Sequence, residues 1–401
     1  MNVPQNLIHE CSYHGWQFDT DGMVNTIPQL DEKRTVESIQ KANGNVKTFP
    51  VHLVGDLLFV FLPSSLHGEM FPQSILPEQF YPDLDCNDPV QQEQVFVRDL
   101  PYSFDFLVEN FMDPAHIPFA HHKLQSTRDD GSPIEMSVLV NNFTNVEVSF
   151  TDISAKRERD AYASFQRPCY YHYGEYVGEG IDEATGKKGR EPKLRIFLVP
   201  VSAGKSRVFL PSIPIPKWFP FRTALIHAGS NRFLNSDTWL HDTEREVVRR
   251  KEAGAGNVNN KLAQMDYMVA SRSDTGVSVF RKWWEENGLA TSPRNTFRMS
   301  SMEELGPITL TRREQIDPWE NHAKHCSECR KALKSVKRIQ MACLVGTIGS
   351  TVLVSSHPIF GILGIGSTLY GRDFLKRVAT TIEGNPERSE VCDRSAAAIA
   401  D

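Results

Sequence analysis

The 401-residue chain has no surplus of positive charge: 44 Lys and Arg stand against 50 Asp and Glu, for a formal net charge of −6. No basic stripe dominates, which excludes a general nucleic-acid binder. Cysteine is scarce as well. The seven present (Cys11, Cys86, Cys169, Cys326, Cys329, Cys343 and Cys392) are odd in number and widely spread. That is a poor disulfide framework, and it points to a reducing compartment or to cysteines used in metal and redox chemistry. Internal repeats are missing. With 40% hydrophobic and 23% charged residues, collagen, coiled coil and wholesale disorder are excluded too. No signal or transit segment precedes the first motif, which begins at Cys11.

What is present reads as α+β, with antiparallel sheet and segregated helices. Asp19–Gly22 is a turn between two short strands, and Gly55-Asp56 separates strands at 47–54 and 57–62. Residues 1–68 make a small β unit, and the Pro-, Asp- and Gln-rich stretch 69–92 is a connecting loop. Ser103–Phe111 suits a helix. Ser137–Thr151 alternates as strands around Asn141-Asn142, and Lys193–Pro200 and Ser206–Leu210 form a further hairpin. Asp237–Lys251 and Val277–Glu286 suit helices. Residues 93–333 therefore form the main domain.

The end differs. Ile339–Ser356 and Ile359–Tyr370 carry no formal charge and are interrupted by His357-Pro358. Lys334, Lys337 and Arg338 precede the pair, and Arg372, Lys376 and Arg377 follow it. A span needs about 20 apolar residues, and positive flanks on both sides fit a hairpin that returns to the same face. The expectation is a membrane-anchoring transmembrane hairpin over 334–378, followed by a polar tail, 379–401.

Three motifs carry chemistry. Cys11-Ser-Tyr-His14-Gly-Trp16 sets a thiolate and an imidazole three residues apart, and Gly15 permits a close backbone turn. In Asn110-Phe-Met-Asp113-Pro-Ala-His116-Ile-Pro-Phe-Ala-His121-His122, the two ligand-type histidines are five apart. On an ideal helix that is about 140° of rotation, so one regular face cannot aim both at a metal. Pro118 breaks the local ladder, so a helix ending near His116 brings His121 back on the next turn. Two histidines and one carboxylate with open positions make the facial triad of non-haem Fe(II) oxygenases. Carboxylates for the third place are available in Ser236–Glu244, with Asp237 and Asp242 as the alternatives. Cys326-Ser-Glu-Cys329 suits a disulfide, a metal or electron relay, beside Arg330 and Lys331, which favour thiolate. Zinc there requires two further ligands, for which His322 and His325 are at hand.

Together these strings resemble the Rieske non-haem iron oxygenases. The string Cys-x-Tyr-His-Gly-Trp-x-Phe-Asp is similar to the second ligand loop of a Rieske domain. Asp113-x-x-His116-x-x-x-x-His121 is similar to the catalytic iron motif. A Cys-x-x-Cys before a hydrophobic pair, with Pro200–Arg207, resembles the pheophorbide a oxygenase-like branch, which includes the protochlorophyllide-linked translocon protein and an inner-envelope import protein. The likeness runs from residue 9 to about 375. It implies a partial Rieske domain followed by a helix-grip-like catalytic domain. It further implies a [2Fe-2S] cluster with Cys11 and His14 as half its ligand set, and a mononuclear Fe(II) on His116, His121 and Asp237. Asp113 would be the electron bridge, and Cys326 and Cys329 redox thiols. The first ligand loop, a Cys-x-His, belongs more than a dozen residues upstream of Cys11, so the sequence is expected to be the remainder of a longer one. The implied activity is monooxygenation of a chlorophyll-type tetrapyrrole with O₂ and electrons from ferredoxin, in a homotrimer at a chloroplast membrane. The alternative is a non-catalytic redox-sensing or interaction subunit at the envelope.

Overall fold

In a computed structural model the described residues are 8–49, 51–54, 57–60, 95–152, 158–182, 187–211, 222–254, 271–287 and 301–384. The expected connecting loop 69–92 and most of the polar tail lie outside them. The chain divides into two units, Met1–Asp85 and Cys86–Asp401.

In the first unit, β1 (His9–Glu10), β2 (Gln17–Phe18) and β3 (Val24–Thr26) form an antiparallel three-stranded sheet. The Asp19 carboxylate accepts the amides of Asp21 and Met23, which closes the expected turn. Helix α1 (Val36–Lys41) is capped by Thr35, whose hydroxyl satisfies an otherwise orphaned amide. Strands β4 (Val51–Val54) and β5 (Leu57–Val60) pair as the second hairpin.

The second unit is built on a seven-stranded antiparallel sheet. Its strands are β6 (Val95–Leu100), β7 (Met136–Asn141), β8 (Asn145–Asp152), β9 (Arg159–Gln166), β10 (Tyr170–Asp182), β11 (Lys187–Ser202) and β12 (Lys205–Pro211). Their spatial order is β6-β12-β11-β10-β9-β8-β7. Strand β6 shows why one face is covered: Phe96, Arg98 and Leu100 alternate inward while their neighbours are half exposed, the period-2 signature of a half-buried strand.

Helices α2 (Phe104–Phe111) and α6 (Thr275–Asn287) lie on that face. Phe104, Phe165, Phe280, Trp283 and Trp284 interlock in the core between them. A methyl group on Gly276 would meet the Met112 carbonyl oxygen at 2.1 Å. That close approach fixes the C-cap of α2, Met112, one residue before Asp113. A single helical turn, α3 (Ile117–Ala120), precedes β7, and α4 (Arg222–Asn235) and α5 (Leu240–Gly254) follow β12. Helix α5 starts three residues later than the sequence suggested, because Asp237 lies in the turn that precedes it.

The short helices α7 (Met302–Leu305) and α8 (Arg312–Gln315) lead to α9 (Ser327–Leu353) and α10 (Pro358–Glu383). The last two form the expected hairpin, and Pro358 opens the second arm, where its missing N–H costs nothing. Small residues let the arms approach: the Thr347 and Thr368 hydroxyls meet at 2.8 Å. The transmembrane expectation is corrected. No helix among the described residues is long and apolar enough to cross a membrane. The reason is composition. Lys331, Lys334, Lys337 and Arg338 occupy the first half of α9, and Gly346, Thr347, Gly349, Ser350 and Thr351 dilute the rest. In α10, Arg372, Asp373, Lys376 and Arg377 occupy the second half.

Candidate active site

Helix α2 ends at Phe111, as the sequence suggests, and the turn that ends at His116 is a separate one. Asp113 then caps a 3-10 turn, Pro114–His116, by accepting the Ala115 amide at 2.8 Å. Pro118 follows in the next turn. This double turn undoes the unfavourable five-residue spacing: the His116 and His121 rings stand 5.0 Å apart, edge to face. Their Nε2 atoms are 3.2 Å apart, and His121 Nε2 is 3.4 Å from Asp237 Oδ2. One donor atom from each of the three residues lies within 4.8 Å of the other two. Asp242, the alternative carboxylate, instead faces Gln315 at 3.4 Å. His122 accepts the Arg128 amide and stands apart from the group.

The surroundings decide which nitrogens carry protons. His116 Nδ1 is bonded to the Asp113 carbonyl oxygen, so that nitrogen is the N–H. The Ser236 hydroxyl donates to the Phe233 carbonyl, so it accepts from His121 Nδ1 at 2.8 Å. Both Nε2 atoms therefore present lone pairs to each other and to a carboxylate. That arrangement suits a cation, since neutral His ligates metal through the nitrogen left bare.

Asp237 Oδ2 accepts from the Asn110 amide at 3.1 Å, while Oδ1 is buried without a hydrogen-bond partner among the described residues. Burial pushes the Asp237 and Asp113 carboxyls up from the ordinary range. Burial, then the neighbouring His116, lowers His121 to about 3, which keeps it neutral and available.

Several residues that build the site gave no signal in the sequence. Asn110 opens the motif string but had no assigned role. Ser236 orients His121, and Phe233 stacks on the His121 ring at 3.8 Å. Arg98, fully buried on β6, donates to the Asn231 carbonyl and to the Asn235 side chain at 2.6 Å each. Arg312 donates to the Asn235 carbonyl at 2.8 Å. Together they hold the end of α4 and hence the turn bearing Asp237. A buried Arg that makes such bonds looks like any other charged residue in sequence.

Beside the triad is a cavity of about 100 Å³, lined by Phe111, Ile117, Phe150, Tyr171, Tyr173 and Leu194. Among the apolar residues in and beside the motif, Phe111 and Ile117 face it. Phe106 is core, and Phe119 is 56% exposed. A drug-sized ligand takes roughly 300–1,000 Å³, so this space fits O₂ and the edge of a larger substrate.

In the first unit, Cys11 and His14 sit on the loop between β1 and β2. The Cys11 amide donates to the Trp16 carbonyl at 2.8 Å and the Gly15 amide to the Cys11 carbonyl at 2.9 Å. Gly15 has φ +70°, which L side chains rarely adopt. Cys11 is exposed. A Rieske centre takes two cysteines and two histidines. This loop offers one of each, so the residues described do not by themselves hold such a cluster.

Comparison with known proteins agrees with that loop. Residues 3–50 match the Rieske [2Fe-2S] domain family. The chain is 26% identical over 376 residues to protochlorophyllide-dependent translocon component 52 of Arabidopsis thaliana, covering 83% of this chain and 63% of that one. It is also 26% identical over 371 residues to pheophorbide a oxygenase of Oryza sativa subsp. japonica, covering 84% and 64%. The chain thus spans under two thirds of the length of these relatives. A solved dicamba monooxygenase bound to dicamba overlays at TM-score 0.46 with 17% identity, covering 71% of this chain and 80% of that chain. By its matched domain the chain carries a Rieske [2Fe-2S] domain. More narrowly, over most of its length it is similar, at 26% identity, to pheophorbide a oxygenase and to the translocon component.

Proposed function

We propose that the chain is the main part of a Rieske-type iron monooxygenase acting on a chlorophyll-type tetrapyrrole, with O₂ and electrons from reduced ferredoxin. The convergence of His116, His121 and Asp237, with both imidazole lone pairs and a buried carboxylate aimed at one point, carries this reading. Those three residues would hold a mononuclear Fe(II), which when bound supplies O₂ activation at positions the protein leaves open. The protein's own part is orientation. The Asp113 carbonyl and Ser236 fix the two imidazole tautomers, and Asn110 holds Asp237 through Oδ2. Phe111, Tyr171 and Leu194 wall the apolar approach and exclude water.

The bridging role of Asp113 is supported by its part-exposed side chain, with Oδ2 3.9 Å from His116 Nδ1. In this reading it joins His116 to a cluster held in part by Cys11 and His14 of a neighbouring copy in a homotrimer. The tetrapyrrole class rests on the named activity of the pheophorbide a oxygenase relatives. Localisation to a chloroplast rests on the chloroplastic relatives. Membrane association rests on apolar side chains that both hairpin arms leave exposed, among them Val345, Val352, Phe360 and Leu363; these suit lying against a lipid surface.

The test is iron content and pigment-dependent O₂ uptake of a chain joined to an upstream Cys-x-His segment. Three irons per chain with uptake support the reading. Two irons, with the third missing and no uptake, overturn it.

A further inference from the structure

The second cluster of donors lies in the catalytic unit and takes no part in the oxygenase reading. We propose that His227, His322, Cys326 and Cys329 form a closed, structural zinc site that fastens the C-terminal helical hairpin to the sheet.

The four residues come from three places. His227 is in α4, His322 in the turn Trp319–Ala323, and the two cysteines at the start of α9, with Cys326 as its N-cap. His322 Nε2 is 3.1 Å from His227 Nδ1 and 3.3 Å from Cys329 Sγ. His227 Nδ1 is 3.4 Å from Cys329 Sγ and 3.5 Å from Cys326 Sγ. All four donor atoms lie within 4.8 Å of one another. Tetrahedral zinc bonds of about 2.0–2.1 Å to nitrogen and about 2.3 Å to sulphur require N···N near roughly 3.3 Å and N···S near roughly 3.6 Å. The observed separations match one ion.

A two-iron cluster of Rieske type would instead put the histidines on one iron and the cysteines on the other. Here each histidine nitrogen lies within 3.5 Å of a cysteine sulphur. Tetrahedral S₂N₂ around one ion is the zinc arrangement.

The orienting bond is in place at His322. His322 Nδ1 donates to the Val97 carbonyl at 2.7 Å, which leaves Nε2 bare. The Phe96 ring packs 4.6 Å from His322 and 5.2 Å from His227. Ala224, Ala323, Leu333, Val336 and Ile382 close the apolar wall. His227, His322 and Cys329 are each at most 3% exposed. Four protein donors and no open position define a structural site, not a catalytic one.

Binding releases the two thiol protons to solvent as Zn²⁺ takes two thiolates and two neutral imidazoles; no redox change occurs. The ion would tie the base of the hairpin to β6 through Val97 and His322. It would also tie it to α4, whose far end carries Phe233 and leads to Asp237.

The test uses the whole purified chain. Elemental analysis should find about one zinc per chain, and zinc-edge X-ray absorption should report two sulphur and two nitrogen neighbours. Cobalt(II) in place of zinc should give the intense visible bands of a tetrahedral thiolate site, a readout on the wild-type chain that needs no variant. His227→Ala and Cys329→Ser should each cut zinc about tenfold or more, while His116→Ala leaves it unchanged; that last arm separates this site from the iron reading. A zinc-free chain in which Cys326 and Cys329 resist alkylation until reduced would show a disulfide and overturn the proposal. So would zinc content unaffected by His227→Ala.

Discussion

The two donor clusters of the catalytic unit differ in what they leave open. His116, His121 and Asp237 offer two nitrogens and an oxygen beside a cavity, with Asp237 Oδ1 lacking a partner. His227, His322, Cys326 and Cys329 offer two nitrogens and two sulphurs, walled by alanine, leucine and valine side chains. Hard and borderline donors with room for a further ligand suit chemistry on iron, while a soft, filled tetrahedron suits a fastening. Helix α4 connects the two: His227 lies in its first half, and Phe233, against His121, near its end. On the proposed reading, one fold separates reactivity from attachment by the choice of donors, since the two clusters are similarly buried.

The strongest way to break this contrast is to remove one cluster and read both. His121→Ala should abolish mononuclear iron and lower turnover by about 10³-fold or more, with zinc retained; iron content that survives the change would refute the triad. Cys326→Ser with Cys329→Ser should act on stability first, lowering it by on the order of 3–5 kcal/mol in thermal or denaturant unfolding. Unchanged stability together with lost turnover would reverse the roles assigned to the two clusters.

A third test falls between them. Glu244 on α5 accepts the Ser103 amide at 3.0 Å, and burial pushes its carboxyl up to about 7. The folded form holds its proton where the unfolded chain, near the ordinary value of 4.5, has lost it. Stability therefore falls as pH rises from 4.5 to 7. Glu244→Gln should flatten that slope, for a relative gain of up to about 3 kcal/mol above pH 7. Denaturant midpoints across this range check it, and an unchanged slope would locate the pH dependence elsewhere. The smallest effect is expected at Asn110→Ala, which removes the bond to Asp237 Oδ2 and should weaken iron binding by about 10–100-fold. Equilibrium dialysis reads this directly, and native affinity would mean that Asn110 does not hold the carboxylate.

How much of this was legible in sequence follows the same divide. The triad was nearly readable, because two donors lie within six residues and Pro118 announces the break that joins them. Asp237 came from the likeness to a family, not from spacing. The Cys-x-x-Cys was visible, yet of the two nearby histidines only His322 joins it. His325 lies outside the cluster, and His227 comes from another helix 95 residues before His322. Local motifs encode donors on one turn; partners brought together by packing leave no spacing to read. The same holds for Arg98, Asn235 and Arg312, whose bonds set the Asp237 turn. In the sheet, strand alternation and turn residues located hairpins at 137–151 and 193–210, which the structure extends to 136–152 and 187–211. The hairpin of α9 and α10 was found from its uncharged runs, but those runs overstated its fitness to cross a bilayer, because helix length was counted without the flanking charges that share each helix.

The most direct test of the central claim is anaerobic titration with Fe(II), read by iron-edge X-ray absorption in a Cys11→Ser chain, so that the Rieske-type loop contributes no thiolate. The account predicts about one ion with nitrogen and oxygen neighbours only, lost in His121→Ala and kept in Cys326→Ser with Cys329→Ser. Iron with sulphur neighbours, or binding that survives His121→Ala, would contradict it.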